Sequence, residues 1–579
     1  MILKAMRRRD RNHIFAIECT SGAFLFFATA AFVLWQNTHL TVLWDLSYIL
    51  ENADRMALGQ MPYRDFPFPY APLTFAVQAA IIHLFGHAVI YHYVYAAVTS
   101  GAGTVLCWRI LRRLLRDAAL PQRAVAFLLA LPLIFLSTSS IFPHPFYDSD
   151  CTLFVLLCLW LLLKVEDAGY PAIGTFACGV LLAVPLFIKQ NTGLAFLASA
   201  VVCAVWLAVR RQRAALALVA GATAGIAIGL ALIQHTAGVR SYLHWTVEFA
   251  ASRRLPGLST MLGVYEDRSL LWPGVAFAVG IGLWMAGRNH SKNRKTREVL
   301  AWSSIALMSV SLLMAVAALG MQDNASDRVE ALLRVWPLLL AVTLGAALWQ
   351  AWRRPSMAQL VPLIVLGTVH GAFLSQQLWG STYALWPLLM TLIAALLAGA
   401  SEDIQQSSGH ELTRPLTALA AITSAALLIC GGYYALSHER LDYVDLDGPV
   451  LRHSKLPALR GVAMRGEYLP QFEELAAYVE REIPRDDAIL TLPGEDLFYY
   501  ATGRTPRFPV ILMDNTVNPY GAAQLAELAR ERNVRWVIVK RQLQLQEEPL
   551  AFRAQLLQLL ALDYKRVESL DNYDIYRRK

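Results

Sequence analysis

The 579-residue chain is 56% hydrophobic and only 16% charged, where soluble globular chains run about 45–50% apolar and about 25% charged. That balance excludes an ordinary water-soluble globule. The net charge of +8 sits in clusters between apolar runs, with no aromatic-interleaved basic stretch, which argues against a nucleic-acid-binding protein.

Met1–Arg11 is basic and leads into an apolar run, Ile14–Trp35. The run is long, no small-residue cleavage site closes it, and many more follow, so it reads as a retained first span rather than a signal peptide. Crossing about 30 Å of hydrocarbon takes roughly 17–25 residues. About thirteen spans are expected on this ground, near 14–36, 89–110, 124–142, 151–164, 171–188, 192–209, 214–234, 270–287, 299–319, 332–352, 358–375, 382–400 and 416–436. The fourth is short and must extend into its flanks or sit in a thinned region of the membrane. Ala71–Gly86 is also apolar, but as a helix it reaches only about 24 Å. If it spanned, the arginines from Arg109 to Arg123 would fall outside. It therefore reads as an interfacial helix on the outer leaflet, within a first outer loop (37–88) that Pro62, Pro67, Pro69 and Pro72 break into short pieces.

Loop charges support this arrangement, because inner loops carry an excess of Lys and Arg. With the amino terminus inside, the inner loops hold Arg7–Arg9, then Arg109, Arg112, Arg113, Arg116 and Arg123, then Arg210–Arg213, Arg288–Arg297, and Arg353 with Arg354. Asp45, Glu51, Asp54, Asp65, Asp148, Asp150, Asp323, Asp327 and Glu330 fall outside. The seven cysteines, Cys19, Cys107, Cys151, Cys158, Cys178, Cys203 and Cys430, lie in or beside apolar runs without a C-x-x-C pair, so core packing is their expected role.

After residue 436 the composition turns charged, and 437–579 reads as a small α/β domain. Helices are expected at Pro470–Ile483, Tyr520–Asn533 and Glu548–Leu562, strands at Ala488–Leu492 and Arg535–Lys540, and a terminal hairpin turning at Asp571-Asn572. No Gly-rich phosphate loop is present, so it is not read as nucleotide-binding. Thirteen spans from an inside start place this domain outside. The expected organisation is thus a transmembrane bundle (1–436) and a soluble outer-face domain (437–579).

Several outer segments carry candidate chemistry. The first loop reads W-D-L-S-Y (Trp44–Tyr48), G-Q-M-P-Y-R-D-F (Gly59–Phe66), P-Y-A-P-L (Pro69–Leu73) and L-F-G (Leu84–Gly86). F-Y-D-S-D (Phe146–Asp150), F-I-K-Q-N-T-G (Phe187–Gly193), S-T-Y-A-L-W-P (Ser381–Pro387) and the outer-domain segment Ile489–Pro506 follow. In order and spacing this set resembles the membrane glycosyltransferases of the GT-C superfamily, of the protein O-mannosyltransferase and aminoarabinose-transferase type. One departure is that many relatives have an Asp-Glu pair where Asp45 is followed by Leu46, as in a single-acid branch.

The resemblance implies a GT-C helical bundle in a bacterial inner membrane, with the carboxy-terminal domain periplasmic. It also implies inverting transfer of a sugar from a polyprenyl-phosphate-linked donor to an acceptor hydroxyl of a glycan, lipid or protein. A sugar hydroxyl is a poor nucleophile near neutral pH, and a positioned carboxylate can take its proton in the transition state. Asp45, just beyond the first span, is the expected base. Asp150, which heads the fourth span and best matches the acid found there in relatives, and Asp148 are the second acidic pair. Their bland alternative is helix capping, as interfacial packing is for the nearby His144. Asp45 with Asp150 would also suit Mg²⁺ or Mn²⁺ through oxygen ligands.

Lys189 ends an apolar run where a charge is costly without water or a partner. A fixed cation at the departing lipid phosphate stabilises the transition state, and Lys189 is the first choice. Arg64, Arg253 and Arg254 come second, because a guanidinium fork matches phosphate. Tyr63, Asp65 and Tyr383, with Trp386, are expected in the lipid and substrate groove; for Tyr383 and Trp386 an aromatic belt is the alternative. The main rival function is a lipid or sugar transporter or flippase, but such proteins place ionisable groups at the midplane, whereas these acids gather at outer helix ends. A second rival is a non-catalytic subunit of an envelope-building complex, in which Asp45→Asn would change no transfer reaction.

Overall fold

The computed structural model describes residues 2–579 apart from 40, 42, 141, 211, 291–292, 322–335, 376–383, 407–411, 437–449 and 544–549. The chain is mainly helical with a small carboxy-terminal sheet, the expected class. Each expected span falls on a helix. They are α1 (Ile2–Asn37), α4 (Val89–Leu114), α5 (Gln122–Ala130), α6 (Tyr147–Asp167), α7 (Ala172–Leu182), α8 (Gln190–Val209), α9 (Leu216–Thr236), α11 (Leu271–His290), α12 (Arg294–Met321), α13 (Trp336–Arg353), α14 (Met357–Ala372), α15 (Trp386–Gln406) and α16 (Thr413–Leu436). Among the described residues six helices are long and apolar enough to cross a membrane, and six further apolar helices are shorter. This is a multi-pass membrane chain.

The shorter helices have visible causes. Pro132 and Pro185 turn the ends of α5 and α7 into 3₁₀ segments, Leu131–Ile134 and Val184–Phe187, since proline cannot donate to the helical ladder. The fourth span extends into both flanks as expected, and α6 runs for 21 residues. Small residues let helices touch: a Cβ on Gly221 would lie 2.1 Å from the Phe176 carbonyl oxygen and one on Gly179 2.3 Å from that of Leu218. Backbone approach of this kind is how helices associate where lipid is as apolar as leucine. At one end of the bundle Arg113 pairs with Asp167 at 2.7 Å and Arg116 with the same carboxylate at 3.2 Å. Glu166 accepts from the backbone N–H groups of Met357 and Ala358 at the start of α14.

At the opposite end, α2 (Leu43–Ala57) and α3 (Leu73–Phe85) build the first loop. The carboxy-terminal region pairs β1 (Leu451–His453) with β2 (Ala463–Arg465), then forms a four-stranded sheet. In it β3 (Ala488–Leu492) runs parallel to β4 (Val534–Lys540), and the hairpin of β5 (Tyr564–Ser569) and β6 (Tyr573–Arg578) completes the order β3-β4-β6-β5. Helices α17 (Tyr468–Glu482), α19 (Ala522–Glu531) and α20 (Leu550–Leu560) fall where the sequence pattern predicts them. Inside this region Lys540 is buried against Glu495 and, at 2.8 Å, Asp496.

One buried cluster lies wholly before residue 437 and another wholly after it, and a third crosses that boundary. Leu46, Ile49, Phe68 and Phe75 of the first loop share one buried cluster with Leu469, Phe472, Phe498 and Ile489. The short helix α18 (Phe498–Thr502) begins on Glu51, whose carboxylate accepts the N–H groups of Tyr499 at 2.9 Å and Tyr500 at 3.2 Å. Those N–H groups belong to a helix amino terminus and have no intrahelical acceptor, so a carboxylate from α2 satisfies them. Arg55 donates to the Pro509 carbonyl at 3.0 Å, and Gln60 to that of Pro506 at 2.9 Å. The segment Ile489–Pro506 is therefore where the domain grips the first loop.

Candidate active site

The amino-terminal ends of α2, α6 and α8 and the short helix α10 (Ala250–Arg254) meet beneath the carboxy-terminal region. Their centre is a pair of tyrosines, Tyr70 and Tyr147, with ring centroids 4.7 Å apart. Asp45, half-buried in the first turn of α2, interacts electrostatically with both phenols. Arg254 lies 4.4 Å over the Tyr70 ring, donates to its hydroxyl, and donates to Thr516 at its carbonyl (3.0 Å) and hydroxyl (2.8 Å). Lys189 sits 5.7 Å over the Tyr147 ring and is ion-paired with Asp148. Asp45 and two cations thus converge on two adjacent phenols whose rings are tilted by 34°.

Local sequence explains the placement. The chain leaves α7 through the Pro185 turn, and the Lys189 N–H reaches back to the Pro185 carbonyl at 3.0 Å. A Cβ on Gly193 would lie 2.2 Å from that same carbonyl oxygen, so only glycine lets α8 fold back here. Gln190 fastens the turn to the first loop, accepting from the Ala71 N–H at 3.2 Å and donating to the Pro69 carbonyl at 2.9 Å. Asn191 donates to the Gly371 carbonyl at the end of α14, 3.1 Å away. Tyr63, at a positive φ of 68°, donates to the Tyr70 carbonyl at 2.6 Å and holds that tyrosine's backbone. Burial raises the Tyr63, Tyr48 and Tyr70 phenols above their ordinary range, so these hydroxyls stay protonated and can donate.

Several expected residues stand elsewhere. Asp148 and Asp150 are two residues apart on α6, about 200° around the helix, and cannot share a face. Asp148 reaches Lys189. Asp150 is buried, and its two oxygens accept from Thr74 at 2.7 Å and Tyr95 at 2.9 Å, joining α3 and α4 to α6. Asp150, expected to be the better-placed acid, is a tie between helices. Each Asp150 oxygen accepts one hydrogen bond, and among the described residues no three His, Cys, Asp or Glu side chains gather. Arg64 is exposed and paired with Asp65 at 2.9 Å, so neither reaches the tyrosines. Arg253 is exposed over Phe249, and of the arginine pair only Arg254 points inward. Tyr383 lies outside the described residues. Trp386 is buried edge to face on Trp336 at 4.4 Å, neither in this crevice nor in a surface belt. His144 is buried on the Pro145 carbonyl.

Tyr70, Tyr147, Gln190 and Thr516 had no role in the sequence reading. Three of them lie inside segments that carried the resemblance, P-Y-A-P-L, F-Y-D-S-D and F-I-K-Q-N-T-G. Thr516 had no sequence signal: only folding brings it to Arg254.

The fold and crevice define a polytopic, mainly helical membrane protein with its polar site at helix ends beneath an α/β cap. No family model matches the chain, and no curated protein does. Among solved structures, ArnT from Cupriavidus metallidurans bound to undecaprenyl phosphate is similar at 13% identity and a TM-score of 0.45, over 97% of this chain and 98% of that one. The oligosaccharyltransferase AglB from Archaeoglobus fulgidus is similar at 11% identity and a TM-score of 0.46, over 90% of this chain and 69% of that one. At such identities and TM-scores the likeness carries no argument, and what the chain does is argued from its own residues.

Proposed function

We propose that the chain is an inverting glycosyltransferase that moves a sugar from a polyprenyl-phosphate-linked donor to an acceptor hydroxyl at the outer face of a bacterial inner membrane. The observation that carries this reading is the convergence of Asp45, Lys189 and Arg254 on the Tyr70–Tyr147 pair. A lipid-linked donor cannot leave the bilayer, so its reacting bond must be met at the membrane surface, where these helix ends lie.

In the proposed step the acceptor oxygen attacks the anomeric carbon while the bond from that carbon to the phosphate oxygen breaks. Asp45 takes the hydroxyl proton, and the bond's electron pair leaves on the phosphate. Charge therefore grows on the phosphate as the reaction proceeds, and Lys189 and Arg254 stabilise it most at the transition state. The Tyr70 hydroxyl donates to the same oxygens. Asp148 acts on Lys189: the ion pair holds the buried ammonium in place over the Tyr147 ring. A single displacement inverts the anomeric centre. The carboxy-terminal region, periplasmic in this reading, closes the crevice from above through Thr516.

The test is transfer by purified protein from a panel of polyprenyl-phosphate sugars to glycan, lipid and peptide acceptors, with product anomers assigned by NMR. The expected result is an inverted product from at least one donor, abolished by Asp45→Asn. Full turnover in that variant would remove Asp45 from the role of base.

A further inference from the structure

The seam between the first loop and the carboxy-terminal region holds a polar groove of about 500 Å³. Arg55, Gln60 and Asp65 of the first loop line one side, and Arg507 and Arg532 of the carboxy-terminal region line the other. Arg55 lies ten residues beyond Asp45 on α2, about 15 Å along the helix, and the groove shares no lining residue with the transfer crevice.

Arg55 is only 3% exposed. Its Nε donates to the Gln60 side chain at 2.7 Å, its Nη1 donates to the Pro509 carbonyl at 3.0 Å, and its guanidinium lies 3.9 Å over the Phe66 ring. These contacts fix the fork in place, and Nη2 is bonded to no acceptor among the described residues. Burial lowers the Arg55 pKa to about 10, against the opposing pull of Tyr499, Tyr48, Glu51 and Asp65, so the group is charged at neutral pH. Arg507 and Arg532 are exposed and form no ion pair among the described residues. Arg578 adds a further cation at that end, donating to Asn533 of the lining at 3.0 Å. Two acids line the groove. Asp65 is already bonded to Arg64 at 2.9 Å and to the Met61 N–H at 2.7 Å. Glu531 is exposed and outnumbered.

We propose that this groove binds a phosphate-type oxyanion, which joins Arg55 of the first loop to Arg507 and Arg532 of the carboxy-terminal region. A guanidinium fork matches such a group because it can bind two of its oxygens, and charge-assisted bonds of this kind are the strong ones. Arg55 is held by Gln60, Pro509 and Phe66 before any ligand arrives, so little ordering cost falls on it. The exposed arginines close from the other side. An anion held by both walls fastens the seam and stabilises the folded chain by mass action. The phosphate group can come free from solution or on a lipid headgroup, since the recognising chemistry is the same. The proposal does not depend on the transferase reading.

The test is calorimetric titration of the full chain in detergent with inorganic phosphate and, separately, with a short-chain phosphatidic acid. Binding of inorganic phosphate supports a free anion as the ligand, and binding of the phosphatidic acid alone supports a headgroup. Arg507→Gln with Arg532→Gln, both at exposed positions, should weaken binding about tenfold or more without lowering the melting temperature of the ligand-free chain. Glu531→Gln should tighten it. Arg452→Gln with Lys455→Gln, which removes the same charge outside the groove, should change it by less than about twofold, since exposed charges more than a Debye length away are screened. Because the crevice is also cationic, the titration is repeated on Asp148→Asn/Lys189→Met, where groove binding should persist. Failure of both probes to bind would overturn the proposal. So would equal weakening by the two charge-removing pairs, weaker binding in Glu531→Gln, or binding lost in the Asp148/Lys189 variant.

Discussion

Asp45 and Glu51 lie under two turns apart on α2, yet their surroundings are opposite. Asp45 stays half-exposed among cations and phenols that a substrate could engage. Glu51 is fully buried, and its carboxylate is committed to the N–H groups that open α18. Burial, with Asp54 nearby, raises the Glu51 pKa well above the usual carboxylate range. Asp54 is likewise pushed up to about 6 by burial, against the opposing pull of His87 at 3.3 Å. One short helix therefore holds chemistry at its start and docking along the rest. A carboxylate read from sequence alone has no function until its neighbours are known.

The largest effect should come from Asp45→Asn, which removes a general base and should lower turnover about 10²–10⁴-fold while leaving the melting temperature in place. A variant that melts early instead would make Asp45 a docking residue like Glu51 and break the comparison. Lys189→Met should lower turnover about 10²–10³-fold and also destabilise, because Asp148 is left buried and unpaired at a cost of about 3–5 kcal/mol. The double variant Asp148→Asn/Lys189→Met should recover most of the stability and none of the turnover, which separates the two roles by calorimetry and assay on the same samples.

Glu51→Ala should cost about 1–3 kcal/mol by orphaning the two N–H groups, whereas Glu51→Gln, which keeps an acceptor oxygen, should cost much less. Turnover per folded molecule should hold in both. Asp54→Asn tests the same seam through pH. Its folded pKa of about 6 exceeds the ordinary carboxylate value of 3.8, so the folded state holds the proton more tightly. Stability should then fall as pH rises from about 4 to about 6. Asparagine should flatten that fall and gain on the order of 2 kcal/mol at neutral pH. Arg64→Ala should do least: its exposed pair with Asp65 belongs to a class worth about 0–1 kcal/mol, and turnover should be unchanged.

The groove at the seam, unlike the crevice, had no sequence signal, because Arg55 is far along the chain from Arg507 and Arg532. Among the crevice residues, Lys189 was legible from the cost of ending an apolar run on a charge, and Asp45 from its place just beyond the first span. Arg254 could not be told from Arg253, nor Asp148 from Asp150. Adjacent and next-but-one residues on a helix point in different directions, and composition does not report a helix's rotation.

Hydropathy by itself determined the apolar helices, the separate short helix α3 and the α/β character of the carboxy-terminal region. These follow from costs paid locally, where each stretch of chain meets lipid or water. Which acid faces Lys189, which arginine meets Tyr70, and that the region beyond 436 shares a core with the first loop were decided only by tertiary structure. Those outcomes depend on how helices are rotated and which distant backbone groups they meet, as when Glu51 receives the N–H groups of Tyr499 and Tyr500.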